Sequence, residues 1–431
     1  MEKKSNYLFV TIDGGGNIPP VLGLANGLRE RGHQVTILTE PCLEPVITSL
    51  GLNFISFKEY FTRTDRKEDI CKDWNATLFN QPTFDNILFG PAEIVIKETL
   101  QAIKKTDAGI LVMDVLLPPG LIAGEICNIP RVILFHMPEY MPGPNRPPGV
   151  MGLTPGKGIF GRFRDRVLMK VFNIKLNSYL PKINKIRAFY ELQPLKNLSD
   201  LLHGADLRLI QTTELFDFPI KPVPKNVRYI GPILDDPDWA NEWENPWTED
   251  DSNPLIVISL STTFQNQAAV IQSCIDALSG IKVRGLVTLG LAMEDELFSL
   301  PENVKLIKSA PHSQVFPHSD AVITHGGHGT IMRALSFGLP IICLPMGRDQ
   351  KDNAAKVVHH GLGLKLSKKS SPKDITRAIH EILENPSYRS KAKKMGMAIL
   401  EDCKAERGIM ELEKLAWINK KVQEPAPNQL P

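Results

Sequence analysis

The sequence predicts an α/β protein made of two doubly wound halves, and three observations support this. Near the start of the chain, apolar β-branched runs alternate with helix-compatible segments in the order strand, helix, strand, helix, strand. Residues 231–253 then form a stretch rich in proline, tryptophan and acidic residues. From residue 254 a second series of strands and helices begins. We therefore predict an N-terminal domain over residues 1–230, a linker over 231–253 and a C-terminal domain over 254–387.

In the first half, the opening strand over residues 7–12 is followed by a glycine-rich turn and a helix that ends near Gly32. Further predicted strands cover residues 34–38, 52–56, 108–113, 131–135, 207–211 and 227–230. The proline-rich loop over 137–149 follows the end of a strand, where open α/β sheets bind ligands. Basic and apolar residues interleave over 161–190, which predicts one long helix whose charges form a solvated face.

The second half repeats the pattern. Strands are predicted over residues 255–260, 285–289, 304–307, 321–324 and 340–345, with helices over 265–278, 351–360 and 372–384. A last helix over residues 388–420 is followed by a tail over 421–431 that we expect to be flexible.

Composition points to a globular protein with a small-molecule partner. The chain has 431 residues, of which 42% are hydrophobic, and 50 basic residues balance 48 acidic ones. A net charge of +2 argues against nucleic acid or an anionic membrane as the main partner. The six cysteines are scattered without a Cys-x-x-Cys pair, and no apolar run approaches the length of a spanning helix. We expect a cytoplasmic protein with reduced thiols and no stable membrane insertion.

The most informative stretch of the second half predicts a phosphate site. A short apolar strand over residues 321–324 is followed by a turn that contains Gly327 and Gly329 and leads into a helix. Glycines let the backbone approach a ligand, and the start of a helix offers unpaired N–H groups and a partial positive charge. His325 and Thr330 add a ring N–H and a hydroxyl as donors to phosphate oxygens.

Two polar residues leave the neighbouring strand. Asp349 and Gln350 come soon after the apolar run over residues 340–345. A carboxylate and an amide together suit the vicinal hydroxyls of a sugar. The two stretches together predict a sugar nucleotide as ligand.

These residues resemble the donor-binding box of the family-1 inverting glycosyltransferases, which use nucleotide-diphosphate sugars and have the GT-B fold, here of the bacterial natural-product and macrolide type. The 24-residue spacing from His325 to Asp349, together with Thr330 and Gln350, matches that box. The resemblance implies two Rossmann-like domains that face each other across a cleft, with the acceptor on the N-terminal domain and the donor on the C-terminal one. It also implies a final helix that crosses back to the first half.

The resemblance further implies transfer of a hexose, with glucose expected, from a UDP-sugar to a hydroxyl, or to a nitrogen or carbon, of a lipophilic small molecule. It implies no metal and no cofactor beyond the sugar nucleotide as co-substrate. His325 and His328 could be imagined as zinc ligands, but no third ligand is evident. A monomer or weak dimer is expected.

The residues around the nucleoside depart from the family pattern. Ser261 and Thr262 resemble the second phosphate-side loop of the family, although such residues can also simply cap a helix. His312 replaces a glutamine, and Ser309 stands where plant members stack uracil on tryptophan. Arg333 takes the place of the glutamate that binds ribose. UDP is the default by resemblance, and a thymidine-nucleotide (dTDP) deoxysugar stays open.

The catalytic base departs from the pattern as well. The resemblance places a histidine after the first strand, held by an aspartate that Asp114 matches, but Asn17 stands in the place of the histidine. An amide cannot act as a general base. Asp114 is our first candidate, with His136 and Asp13 behind it, and an acidic acceptor that needs little help is a further possibility.

Two other classes of function are open. A nucleotide-sugar-binding protein that has lost catalysis would also explain Asn17. A dinucleotide oxidoreductase built on the first glycine-rich turn is disfavoured, because Pro19 stands where the third glycine of that fingerprint belongs.

Overall fold

The computed structural model describes residues 4–66, 68, 81–139, 146–218, 221–236, 240–248, 251–261, 267–290, 293 and 298–423. Within these residues the chain forms two all-parallel sheets, one in each half. The first sheet contains β1 (Asn6–Val10), β2 (Gln34–Thr39), β3 (Asn53–Ser56), β4 (Ile110–Asp114), β5 (Arg131–Phe135), β6 (Leu207–Ile210) and β7 (Val227–Tyr229). The second contains β8 (Leu255–Ser259), β9 (Arg284–Thr288), β10 (Val304–Ile307), β11 (Ala321–Thr324), β12 (Ile341–Cys343) and β13 (Gly363–Lys365).

Helices cover both faces of the sheets. In the first half they are α1 (Ile18–Glu30), α2 (Glu44–Ser49), α3 (Gln81–Thr83), α4 (Ala92–Thr106), α5 (Leu121–Ile126), α6 (Gly158–Asn177), α7 (Leu180–Phe189) and α8 (Asp200–His203). In the second half they are α9 (Ala268–Leu278), α10 (His312–Val315), α11 (His328–Ser336), α12 (Gln350–His359), α13 (Pro372–Glu384), α14 (Pro386–Lys404) and α15 (Arg407–Gln423). Short 3-10 turns cover Pro41–Leu43, Pro118–Gly120 and Phe316–His318, and a π turn covers Phe84–Leu88.

The strand order explains where a ligand can bind. The first sheet runs β3-β2-β1-β4-β5-β6-β7 and the second β10-β9-β8-β11-β12-β13. The order reverses between β1 and β4 in one sheet and between β8 and β11 in the other, and crevices open at the carboxyl ends of the strands at such points. Strands β4, β8 and β11 are buried along their whole length, as expected for strands covered on both faces. The predicted pair of doubly wound domains is confirmed.

The segment predicted as one long helix over residues 161–190 is two helices, and that prediction was wrong in this respect. Helix α6 ends at Asn177, and α7 begins at Leu180 with Pro181 in its first turn. Proline lacks the N–H that a continuing helix needs, but it is well suited to the first turn of a new helix.

The C-terminal segment also consists of two helices. Helix α14 packs against α11 of the second half. The chain turns at Glu406, which has a positive φ of 45°, and α15 then packs on the first half. Ile409, Leu412 and Ala416 of α15 are buried in the same apolar cluster as Tyr7 of β1. None of the helices in the described part of the chain is both long enough and apolar enough to cross a membrane.

Candidate active site

A cavity of about 380 Å³ lies between the two halves and is lined by both of them. We call it the interdomain cleft. From the first half it is lined by the turn after β1, by His136 and by the loop that precedes α6. From the second half it is lined by the turn between β11 and α11 and by the start of α12. Every described donor-binding residue of the sequence analysis lines this cleft: Ser261, His312, His325, Gly327, Gly329, Thr330, Asp349 and Gln350.

The turn between β11 and α11 depends on two glycines. Gly326 has a φ of +95°, a conformation that side chains with a Cβ rarely adopt, and a Cβ there would lie 3.0 Å from the carbonyl oxygen of Gln350. A Cβ on Gly327, the N-cap of α11, would lie 2.6 Å from His325 Nε2. Glycine at both positions therefore lets the turn close and leaves room for the His325 ring.

We expect Gly326→Ala to lower the free energy of unfolding by about 1–2 kcal/mol, because alanine is strained in the left-handed conformation and also meets the Gln350 carbonyl. Thermal unfolding of the purified variant measures this. Gly280 is the matched control, since it has a φ of +75° and a Cβ there would have no neighbouring atom within 4 Å. Equal losses at the two positions would show that the contact with Gln350 contributes nothing.

His325 is a neutral hydrogen-bonding group in this site. Burial, with a smaller effect from the nearby Arg348 guanidinium, lowers the pKa of His325 to about 3. Its Nδ1 lies 3.4 Å from the Thr324 hydroxyl. Thr330 stands in the first turn of α11 and lines the cleft beside it. The ring, the hydroxyl and the N–H groups at the helix start form a set of donors suited to an anion.

The start of α12 forms the other wall of the donor side. Asp349 is its N-cap, and Asp349 Oδ2 accepts a hydrogen bond of 2.7 Å from Asn353. Asn353 also donates to the carbonyl oxygen of Gly326 at 3.0 Å, so it ties the carboxylate to the phosphate turn. Sequence reasoning missed Asn353, although its position one turn after Asp349 on a helix was a usable signal.

The side chain of Gln350 supports the backbone of its own loop, a role that the sequence does not suggest. Its side-chain oxygen accepts from the N–H groups of Met346 and Gly347, at 2.8 and 2.9 Å. The oxygen therefore shapes the loop before α12. Any contact with a sugar would have to use the amide nitrogen, and the carboxylate of Asp349 is the acceptor that remains on this wall.

His312 is held firmly at the base of the donor side. Its ring stacks on Phe316 with centroids 4.3 Å apart, and its Nε2 lies 3.2 Å from the Ser259 hydroxyl. Burial, with a smaller effect from Arg333, lowers the pKa of His312 to about 3. Arg333 itself donates to the carbonyl oxygens of Leu234 and Asp235 in the linker. This links the predicted nucleoside region to the connection between the halves.

Ser261 follows β8, and its backbone is fixed by Gln267. The Ser261 N–H donates to the side-chain oxygen of Gln267 at 3.0 Å, and the Gln267 amide donates back to the Ser261 carbonyl at 2.8 Å. Thr262, the second residue predicted for this loop, lies outside the described residues.

Asp114 and Asn17 form a buried pair on the acceptor side. Asn17 donates to Asp114 Oδ2 at 2.8 Å and to the Ile12 carbonyl at 2.8 Å, and its own oxygen accepts from the Gly14 N–H. The Thr11 hydroxyl donates to the same carboxylate oxygen at 2.7 Å. Asp114 is only 2% exposed and is not among the residues that line the cleft.

His136 lies beside this pair and lines the cleft. Its Nδ1 is 3.4 Å from Asp114 Oδ1, within ion-pair distance. Burial by itself raises the pKa of Asp114, but the neighbouring His136 and the hydrogen bonds from Thr11 and Leu116 outweigh it and lower the pKa overall. The structure thus brings together two of the three base candidates.

Asp13, the third candidate, is part of its own turn. One carboxylate oxygen accepts from the Gly15 N–H at 2.9 Å, and the other lies 2.8 Å from Arg66 Nε. Both oxygens are committed, so Asp13 is suited to shaping the turn and poorly suited to taking a proton.

Several contacts join the halves around the cleft, and sequence reasoning did not find the three described here. Arg348 donates to the Gly14 carbonyl at 3.0 Å, and Asp352 accepts from the Gly152 N–H at 2.6 Å. His328 Nε2 lies 3.0 Å from the carbonyl oxygen of Gln211, so this nitrogen carries the proton. In the described part of the chain, no group of three or more His, Cys, Asp or Glu residues could hold a metal ion.

The buried histidines predict a pH dependence of stability. The pKa values of His312 and His325 fall to about 3 and that of His328 to about 4, from an ordinary 6.5. Between these values the unfolded chain binds protons that the folded chain does not, so stability falls as pH falls from 6.5 towards 4. We expect the melting temperature to drop over this window, and less steeply in His312→Gln. His380→Gln, at an exposed position, is the control. A melting temperature that stays flat over the window would contradict the buried neutral state.

Two parallel-sheet domains with a ligand cleft between them constitute the GT-B architecture, and comparisons with known proteins agree. The family described as "Erythromycin biosynthesis protein CIII-like, C-terminal domain" matches residues 272–415. 4'-Demethylrebeccamycin synthase from Lentzea aerocolonigenes is 25% identical over 403 residues, covering 91% of this chain and 94% of that protein. NDP-glycosyltransferase YjiC from Bacillus subtilis (strain 168) is 22% identical over 427 residues, covering 95% and 97%.

Solved structures show the same fold. The glycotransferase of kitacinnamycin superposes with a TM-score of 0.75 at 19% identity, covering 96% of this chain and 100% of that one. CalG4, the calicheamicin glycosyltransferase, gives a TM-score of 0.72 at 19% identity, covering 96% and 98%. The chain is a glycosyltransferase enzyme of GT-B fold, and it is similar to bacterial natural-product glycosyltransferases of family 1.

Proposed function

We propose that the protein transfers a hexose, with glucose as the leading candidate, from a UDP-sugar to a hydroxyl group of a lipophilic small molecule. The observation that supports this is the interdomain cleft, which is lined by the start of α11 and Asp349 from the second half and by His136, with the buried Asp114 beside it, from the first half. Relatives named UDP-glucosyltransferase YojK and NDP-glycosyltransferase YjiC support the donor class. A dTDP-sugar is the second candidate, because the similar structure of VinC was solved with dTDP.

The donor side is suited to the leaving group. In an inverting transfer the acceptor oxygen attacks the anomeric carbon while the bond from that carbon to the diphosphate breaks, and the electron pair stays on the diphosphate. We propose that His325, Thr330 and the N–H groups at the start of α11 stabilise the charge that develops there. This chemistry uses fixed donors of the chain, and the proposal requires no metal.

We propose His136 as the base that takes the acceptor proton, with Asp114 as the residue that positions it. This reverses the order of candidates drawn from the sequence. Asp114 already accepts from Thr11, Asn17 and Leu116, its pKa is lowered, and it does not line the cleft. His136 lines the cleft with one ring nitrogen beside Asp114, which leaves Nε2 for the acceptor.

The acceptor side supports a lipophilic substrate. Apolar side chains from several segments of the first half line this part of the cleft, among them Phe84, Leu88, Leu116, Val150 and Phe172. Aromatic and aliphatic walls with a few polar groups are typical of pockets for drug-sized molecules. The relative named 4'-demethylrebeccamycin synthase is consistent with an acceptor of this kind. Transfer to nitrogen or carbon is the alternative to transfer to oxygen.

The experiment that tests the proposal measures nucleotide release. The purified protein is incubated with UDP-glucose or dTDP-glucose and a panel of lipophilic phenols and amines, and UDP or dTDP, glycosylated product and product anomer are recorded. We expect release that depends on acceptor and a β-linked glucoside, since the donor is α-linked and transfer inverts. Release with dTDP-glucose alone would select the second donor. Silence across donors that nonetheless bind would favour the nucleotide-sugar-binding alternative.

We expect Asp114→Asn to lower kcat by about a hundredfold, the lower end of the contribution of a positioned base. The variant keeps the shape of the side chain but removes the charge beside His136. In either orientation of the new amide, its NH2 group would face a hydrogen-bond donor, which is the Thr11 hydroxyl or the Leu116 N–H. Thermal unfolding measured alongside separates this from lost stability. Thr11→Val, which removes a hydroxyl that donates to Asp114 and accepts from Asn17, is the control. A variant with full activity would exclude Asp114 from any role in proton transfer.

We also propose that the protein works in a reducing compartment such as the cytoplasm, as a monomer or weak dimer. The five cysteines that the structure describes, Cys42, Cys127, Cys274, Cys343 and Cys403, are free thiols, which is consistent with such a compartment.

A further inference from the structure

The outer face of helix α6 carries a row of apolar side chains in solvent. Phe160 is 89% exposed, Phe163 is 62% exposed and Ile174 is 65% exposed, and Val167 and Val171 lie between them on the same face. Their spacing of three, four, four and three residues keeps them on one side of the helix. Scattered exposed apolar residues are ordinary, but a continuous row with two phenylalanines marks an interaction surface.

Basic residues share this exposed face. Arg162, Arg166 and Lys170 alternate with the apolar row, and none of them forms a salt bridge with a described residue. The only acidic residue of α6, Asp165, is buried and paired with Arg164. The exposed face therefore combines positive charge with apolar side chains and carries no negative charge.

This combination selects the kind of partner. Two copies packed face to face along α6 would bring Arg162, Arg166 and Lys170 near their own equivalents, and like charges would oppose the pairing. An anionic lipid surface satisfies both components at once, because the phenylalanines enter the region between headgroups and acyl chains while the basic groups meet lipid phosphates.

The inner face of α6 faces the candidate active site. Phe172 is buried and lines the interdomain cleft, and the loop that precedes α6 contributes Val150 and Leu153 to the same lining. One helix therefore separates the apolar acceptor side of the cleft from the exposed apolar row.

We propose that the outer face of α6 docks the protein on an anionic bilayer. The docking depends on the exposed row and its basic neighbours. Its consequence for catalysis, which rests on the proposed function, is that a lipophilic acceptor dissolved in the bilayer has a short route to the cleft. The balanced net charge does not bear on this, because only the local face meets the lipid.

Co-sedimentation with vesicles tests the docking. The full-length protein is mixed with vesicles of phosphatidylcholine alone or with about one third phosphatidylglycerol, a fraction that gives a negative surface potential. We expect clear binding to the anionic vesicles only, and weakening with added salt. Phe160→Ser combined with Phe163→Ser should lower the partition coefficient at least tenfold, and so should Arg162→Gln combined with Arg166→Gln.

The matched control is Met397→Ser, which changes an apolar residue that is 66% exposed on α14. It should bind vesicles like the unchanged protein. Activity on a water-soluble acceptor should be equal in all these variants, so that loss of docking and failure of the proposed transferase activity are distinguishable. Failure to bind anionic vesicles, or equal binding by the Phe160 and Phe163 variant, would overturn the proposal. Light scattering could also overturn the proposal. If the unchanged protein were a dimer and the variant with both phenylalanines replaced were a monomer, the outer face of α6 would bind a second copy of the chain.

Discussion

His136→Ala is expected to lower kcat by about two to four orders of magnitude, the usual contribution of a positioned general base. The affinity for the nucleotide should stay unchanged, because His136 belongs to the first half of the chain whereas the phosphate turn belongs to the second. Single-turnover rates with a phenolic acceptor measure the first effect, and calorimetric titration with UDP measures the second. The combination distinguishes a missing base from a damaged donor site.

A second substitution sharpens this test. Asn17→His introduces an imidazole next to Asp114, where the family carries its base, and Asn17 already contacts that carboxylate at 2.8 Å. We expect Asn17→His to restore part of the activity lost in His136→Ala. Near-normal turnover in the single variant His136→Ala would exclude His136 as the base and would leave an acidic acceptor as the simplest explanation.

His325→Ala is expected to lower kcat by about a hundredfold to a thousandfold, the effect of removing one preorganised donor to a developing negative charge. Since the pKa of His325 lies near 3, the ring acts as a neutral donor. The loss should therefore be of similar size from pH 6 to pH 8. Steady-state kinetics over this range, with the acceptor saturating, provide the measurement.

The matched control for this prediction is His380→Ala. His380 lies on α13, its side chain is half exposed, and its Nδ1 lies 3.7 Å from a carboxylate oxygen of Glu384. It should keep full activity. If His325→Ala turned over at a normal rate, the diphosphate would have to bind away from the start of α11, and the assignment of the donor wall would fail.

The predicted donor-binding residues meet on one wall of the cleft because their positions depend on local structure. His325, Thr330 and Asp349 belong to two strand-to-helix turns, and neighbouring parallel strands bring such turns together whatever the rest of the chain does. Asn353 and the role of the Gln350 oxygen were missed, since each depends on which backbone group lies opposite in the folded loop.

The acceptor wall was less predictable because it is assembled from distant segments. His136 approaches Asp114 only because β5 pairs with β4, and the residues alone ranked Asp114 above it. The interleaved pattern of α6 was interpreted as a solvated face. Many apolar residues of α6 are exposed on that face as well. The periodicity of the sequence does not distinguish the buried side of a helix when charged and apolar positions share one side.

The return of α15 to the first half has a consequence for building hybrid enzymes. Ile409 and Leu412 complete the core beneath β1, and Tyr7 donates from its hydroxyl to the Leu412 carbonyl. A hybrid of two enzymes joined in the linker would therefore pack the α15 of one enzyme into the core of the other enzyme's N-terminal domain. Hybrids that exchange residues 1–230 together with 405–423 keep this core intact. A change of acceptor range is therefore best made by exchanging both segments from the same enzyme.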